Sequence, residues 1–168
     1  MNRGDTIPLH SWYSEGREDN YTTTMPAWMG GHGETRSPDY GFVRGEGRVF
    51  NPAKPPPAGT IPLYSWYSPS RRDNFATSSP GWIGYLKGRG GDPEYPSFRS
   101  PDYYFVRLEG YIYPPDVPPP PGTIPLYSWY SNSRGDNYAT SMPVWAGGPG
   151  DVRSPDYEFV RLEGYLIR

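Results

Sequence analysis

One pattern recurs three times along the chain and limits what it can fold into. Thr6-Ile7-Pro8-Leu9 returns as Thr60-Ile61-Pro62-Leu63 and as Thr123-Ile124-Pro125-Leu126. Each copy continues into Ser-Trp-Tyr-Ser, ending at Ser14, Ser68 and Ser131, and then into an Arg-x-Asp-Asn turn at Arg17, Arg71 and Arg134. A tryptophan follows a proline by two residues (Trp28, Trp82, Trp145), and each copy closes on Arg-Ser-Pro-Asp-Tyr-x-Phe-Val-Arg-x-Glu-Gly from Arg36, Arg99 and Arg153. The period from Thr6 to Thr60 is 54 residues; Thr60 to Thr123 is 63, because nine extra residues lie between Trp82 and Arg99. Like units at such a period bury their apolar faces against one another. A unit of roughly 40 ordered residues without disulfide or metal is close to the size at which lone folding fails. The expectation is therefore one domain over 1–168, with units 6–59, 60–122 and 123–168 closing around a pseudo-threefold axis. Three independent beads on proline linkers are the alternative.

Each unit reads as β structure. Ile-Pro-Leu-Tyr-Ser-Trp-Tyr-Ser is short, aromatic and bounded by turn residues, as a strand should be. Asp-Asn-Tyr-Ala-Thr reads as its return strand. The closing run alternates, with Phe159, Arg161 and Glu163 on one face and Val160, Leu162 and Gly164 on the other. Its glycine marks a bulge or bend, after which Tyr165-Leu166-Ile167 forms a further strand. That gives about four strands per unit. The fold class is all-β and β-trefoil-like, with a three-bladed propeller-like ring or a β-prism as alternatives. The region 83–98, holding the extra residues, is an inserted surface loop, and 48–59 and 111–122 are proline-rich connectors.

Composition excludes several classes. Gly (21) and Pro (23) together are incompatible with long helices. The 17% aromatic content supplies the burial that aliphatic residues usually carry. Sixteen basic residues against eighteen acidic ones, spread without a basic run, give no phosphate-binding stripe, so nucleic acid is not an expected partner. No apolar stretch approaches a membrane span, so membrane insertion is not expected. There is no Cys, which removes disulfides and thiolate chemistry, and no cofactor or metal motif is present. The first motif begins at once, with no secretion signal before it; cytoplasmic synthesis is expected, with later release or export left open. Two histidines, His10 and His32, both in the first unit, support no repeated catalytic mechanism. The chain is not read as an enzyme.

Two repeated constellations carry recognition chemistry. The pairs Asp19/Asn20, Asp73/Asn74 and Asp136/Asn137 offer a carboxylate beside a carboxamide, suited to adjacent sugar hydroxyls. The same pairs also suit turns capping a hairpin. Trp12, Trp66 and Trp129 lie mid-strand and read as core. Trp28, Trp82 and Trp145 start loops and are the better platforms for a sugar ring. Arg44/Glu46, Arg107/Glu109 and Arg161/Glu163 read as structural ion pairs between neighbouring strands or units. Arg134-Gly135-Asp136 spells an adhesion tripeptide, but the equivalent middle residues are Glu18 and Arg72, so the position varies within a turn.

The elements Pro-Leu-Tyr, Asp-Asn-Tyr-x-Thr and Tyr-x-Phe-x-x-x-Glu-Gly-Tyr resemble a bacterial aromatic repeat family of unassigned function, often appended to secreted hydrolases of cell walls and polysaccharides. The chain departs from it at Asn20, Asn74 and Asn137, where the family carries His. The resemblance implies a non-catalytic recognition module. The expected function is a multivalent carbohydrate-binding protein with up to three equivalent weak sites, its partners glycans or polysaccharide surfaces. A structural or protein-interaction module is the alternative.

Overall fold

A computed structural model describes residues 5–82, 98–99 and 102–168. Most of the expected insertion at 83–98 lies outside these residues. The chain is all-β: among the described residues twelve strands join one antiparallel sheet, and each unit adds a three-residue 3-10 turn. Each unit contributes a long first strand, a five-residue return strand, a two-residue strand and a long closing strand. In the first unit these are β1 (Thr6–Ser14), β2 (Asp19–Thr23), β3 (Thr35–Arg36) and β4 (Tyr40–Phe50). The second has β5 (Ile61–Ser68), β6 (Asp73–Thr77), β7 (Phe98–Arg99) and β8 (Tyr103–Ile112). The third has β9 (Thr123–Ser131), β10 (Asp136–Thr140), β11 (Val152–Arg153) and β12 (Tyr157–Ile167).

The first strand lies between the return strand and the closing strand in every unit: β1 pairs with β2 and β4, β5 with β6 and β8, and β9 with β10 and β12. The closing strands join the units at their ends, through Phe50 opposite Tyr111, Ile167 opposite Arg48 and Tyr113 opposite Tyr165. No helix among the described residues is long and apolar enough to cross a membrane.

The closing strands differ from the expected alternation. Register shifts between Phe159 and Arg161 and between Leu162 and Gly164 turn the strand twice. As a result Glu163 is wholly buried while Val160 is exposed. The expected separate strand Tyr165-Leu166-Ile167 is instead the continuation of β12, and the fourth strand of each unit is the two-residue one. The bulge glycine has a steric reason. Gly47, Gly110 and Gly164 all have φ near +150°, and a Cβ on Gly110 would come within 2.5 Å of Val49 Cγ2.

Burial divides into one aliphatic and three aromatic clusters. Leu9, Val49, Leu63, Ile112, Leu126 and Leu166, with Ala76 and Ala139, form a cluster drawn from all three units. Each unit then encloses its own aromatic set, Trp12/Tyr21/Tyr40, Trp66/Phe75/Tyr103 and Trp129/Tyr138/Tyr157. Trp12, Trp66 and Trp129 have no exposed surface, as expected of core residues.

The turn before each Asp adopts the left-handed region at its middle residue: Glu18 at φ 54°, Arg72 at 53° and Gly135 at 61°. Only glycine accepts this conformation without a Cβ penalty, of about 1 kcal/mol or more for other residues. Arg72 is exposed. Arg72→Gly is therefore expected to stabilise the protein by about 0.5–1 kcal/mol in urea unfolding, the backbone strain relieved being partly offset by a freer unfolded chain. A destabilised variant would mean that the Arg72 side chain holds the turn.

Candidate functional site

The three aspartates meet in the interior. Asp19, Asp73 and Asp136 are each 1% exposed, and one carboxylate oxygen of each lies within 4.8 Å of the others. Each accepts three hydrogen bonds in the same pattern. Within the unit, the hydroxyls of Tyr40, Tyr103 and Tyr157 donate to Asp19, Asp73 and Asp136 at 2.6, 2.6 and 2.5 Å. From a neighbouring unit, an asparagine donates both its backbone and side-chain N–H: Asn74 to Asp19, Asn137 to Asp73 and Asn20 to Asp136. The pairs adjacent in sequence are thus split between two different unit contacts.

Burial is the main force on these carboxyls, and the neighbouring aspartate adds to it. Asp19 is pushed up to about 8 and Asp73 to about 7, and Asp136 rises well above the carboxylate range, although the Tyr and Asn donors pull the other way. The triad is the group of potential metal ligands that lies closest together among the described residues. Its oxygens already receive the O–H and N–H donors that a buried carboxylate requires. The arrangement reads as a structural hub. It also buries the carboxylate of Arg134-Gly135-Asp136, leaving the tripeptide no accessible acid.

A second ring of carboxylates ties the same units. Glu46, Glu109 and Glu163 are buried and accept bonds from the preceding unit, the third standing before the first: Thr140 and Ser141 to Glu46, Thr23 and Thr24 to Glu109, Thr77 and Ser78 to Glu163. Arg44, Arg107 and Arg161 lie 3.2–3.3 Å from these glutamates on the same strand. The ion pairs are therefore intrastrand, and it is the hydroxyl contacts that cross between units.

The second tryptophans are fixed from below. Each sits on a 3-10 turn opened by proline: Pro26–Trp28, Pro80–Trp82 and Pro143–Trp145. The core indoles of Trp12, Trp66 and Trp129 donate Nε1–H to the carbonyls of Trp28, Trp82 and Trp145 at 2.8, 3.0 and 3.0 Å. Arg36 and Arg153 stack on Trp12 and Trp129, 4.7 and 4.9 Å from the ring centres, and bond carbonyls of the turn. Trp28 meets Trp12, Tyr21 and Tyr40 edge to face, and Trp145 repeats this with Trp129, Tyr138 and Tyr157.

These half-buried indoles open onto clefts between units. One cleft of about 310 Å³ has Arg17, Trp28, Pro38 and Tyr40 on one side and Tyr67, Asn74 and Val106 of the second unit on the other. An equivalent cleft of about 320 Å³ places Arg134, Trp145, Pro155 and Tyr157 opposite Tyr13, Asn20 and Val43. The third position of the repeat carries Arg71, Trp82, Tyr103, Tyr130, Asn137 and Val160. There the Arg71 guanidinium donates to the Tyr130 hydroxyl at 2.9 Å, as Arg17 does to Tyr67 at 3.2 Å and Arg134 to Tyr13 at 3.0 Å.

The structure therefore brings Asn20, Asn74, Trp28 and Trp145 into clefts and leaves Asp19, Asp73 and Asp136 behind them, sealed from solvent. Sequence reasoning passed over Arg17, Arg134, Tyr13, Tyr67, Val43 and Val106. The available signal was their recurrence in every unit alongside the Asp-Asn pair. Neither family models nor curated proteins nor solved structures match the chain.

Proposed function

We propose that the protein is a multivalent carbohydrate-binding protein whose three units surround a common axis in a β-trefoil-like arrangement, with one weak glycan site in each cleft between units. The observation that carries this reading is the recurrence of one lining, an indole with Arg, Tyr, Asn, Pro and Val, at two equivalent clefts. The indole, proline and valine suit the apolar face of a pyranose, and Arg, Tyr and Asn supply donors and acceptors for its substituents. Volumes a little above 300 Å³ are at the small end of ligand sites and suit a single sugar ring. The saturated hydrogen bonding of the Asp triad favours, for those three residues alone, the structural role.

Sites with so few contacts should each bind with Kd near the millimolar range, about −4 kcal/mol. Display of several on one rigid body raises avidity for a dense glycan by roughly 10²–10⁴. The test is a glycan array followed by agglutination with blocked clefts. Val43→Glu and Val106→Glu each put a charged chain into one cleft from a partly exposed position, so the fold is retained. Each single variant should lower the agglutination titre and the double variant should abolish cross-linking, while circular dichroism stays unchanged. A protein that binds no glycan above background removes this reading and leaves the structural module.

A further inference from the structure

We infer that the ligand of these clefts is a sugar bearing a carboxylate, held by Arg17 in the first cleft, Arg134 in its equivalent and Arg71 at the third position; this rests on the glycan reading above. The charge balance inside the cleft carries the inference. An arginine presents five N–H donors in a planar fork matched to a carboxylate. Arg17 uses one on the Tyr67 hydroxyl and lies 6.0 Å from the Tyr40 ring centre; Arg134 does the same with Tyr13 and lies 5.8 Å from Tyr157. Two neutral aromatic partners thus orient each guanidinium without neutralising it.

Two ionised acids, Asp39 and Asp156, feel the charge of Arg17 and Arg134, but their hydrogen bonds go to the turn and leave the guanidinium N–H groups free of them. Asp39 accepts from the Ser14 hydroxyl and the Gly16 N–H, and Asp156 from the Ser131 hydroxyl and the Ser133 N–H. Asp19 and Asp136 are saturated by Tyr and Asn and sealed from solvent, and burial favours their neutral form. Arg17 forms no ion pair among the described residues. Arg134 has one, with Glu18 at 3.4 Å, on a glutamate whose side chain is 54% exposed. Such a rim pair is worth little and can be exchanged for a ligand carboxylate.

The donor count points the same way. A site for a neutral sugar usually sets a protein carboxylate against the hydroxyls. Here the carboxylates are withdrawn and take the Tyr40 and Tyr157 hydroxyl protons with them, so the remaining guanidinium N–H groups are the main donors facing the cleft. A guanidinium beside an indole, a proline and a valine fits a ring that is apolar on one face and anionic at its edge.

The experiment compares acidic sugars with neutral counterparts of the same ring: galacturonic, glucuronic and N-acetylneuraminic acid oligosaccharides and their methyl esters, titrated at low and high salt. At least one acid should bind about tenfold tighter than its ester at low salt, with the ratio falling toward one near 0.5 M salt. Arg17→Gln/Arg71→Gln/Arg134→Gln should erase the ratio, with acid binding falling about tenfold more than ester binding and circular dichroism unchanged, which shows an intact fold. The matching lysine variant should retain part of the preference, since charge remains and the fork is lost. Acids and esters bound equally by the wild-type protein overturn the carboxylate inference and leave the glycan reading standing. Binding of neither acids nor esters, with other glycans bound on the array, also overturns it. Binding of no sugar of any kind overturns both.

Discussion

Glu109→Ala is expected to lower stability by about 3–5 kcal/mol, a fall in melting temperature on the order of 10 °C. Glu109 is fully buried and accepts from the Thr24 N–H at 2.9 Å and from the Thr23 and Thr24 hydroxyls at 2.8 and 2.7 Å. The Arg107 guanidinium lies 3.2 Å away. Alanine removes the acceptor and leaves a buried N–H and a partly buried cation behind, which costs more than the bonds themselves contributed. Glu109→Gln keeps the shape and one carbonyl acceptor, so it should lose about half as much. Because Thr23 and Thr24 belong to another unit, the loss is a loosening of the contact between units. An alanine variant within about 1 kcal/mol of wild type in urea unfolding would show that the carboxylate does not tie the units.

Stability should also fall as pH rises from about 5 to 9. Asp19 and Asp73 titrate near 8 and 7 in the folded protein, and Asp136 is raised as well, against about 3.9 in an unfolded chain. Between those limits the folded state binds more protons, so the pH derivative of the unfolding free energy is negative. The stabilisation is fully present below the unfolded value and is lost as pH rises through the folded ones. A carboxyl that holds its proton tenfold more tightly in the folded chain contributes about 1.4 kcal/mol, which puts the loss on the order of 5 kcal/mol once the mutual coupling of the three is allowed for. Asp39, Asp102 and Asp156 act in the opposite sense: hydroxyl and N–H donors hold them below the ordinary value, so their support is lost as pH falls through their folded values. The stability curve should therefore peak on the acid side. Urea unfolding at pH 5, 7 and 9 gives the answer, and stability that rises across that series would mean the triad is not the dominant titrating set.

What the chain reveals on its face follows from distance along it. The strands β1, β5 and β9, their return strands and the buried Trp12, Trp66 and Trp129 depend on local alternation and turn residues, so they are readable. The bulge at Gly164 was readable too, but its effect was not: a second shift near Val160 turns Glu163 inward, and a period of two cannot count two bulges. The partners of Asp19 and Asp136 could not be read at all. Asn74 is 55 residues from Asp19 and Asn20 is 116 from Asp136, while the adjacent Asp-Asn pair invites pairing within itself. The clefts were hidden for the same reason, since Arg17 and Tyr67 face each other across a boundary between units.

The asparagine contacts have a direction. The second unit donates to the first, the third to the second, and the first to the third. Such a head-to-tail interface either grows without limit or returns to its start. Here the contact returns after three steps, so each asparagine donor and each aspartate acceptor has its partner in another unit. Stacked repeat proteins need special end units to blunt the surfaces left over at each end. Among the described residues the three asparagines and three aspartates are used up on one another, so a fourth copy could join this cycle only by displacing one of its contacts.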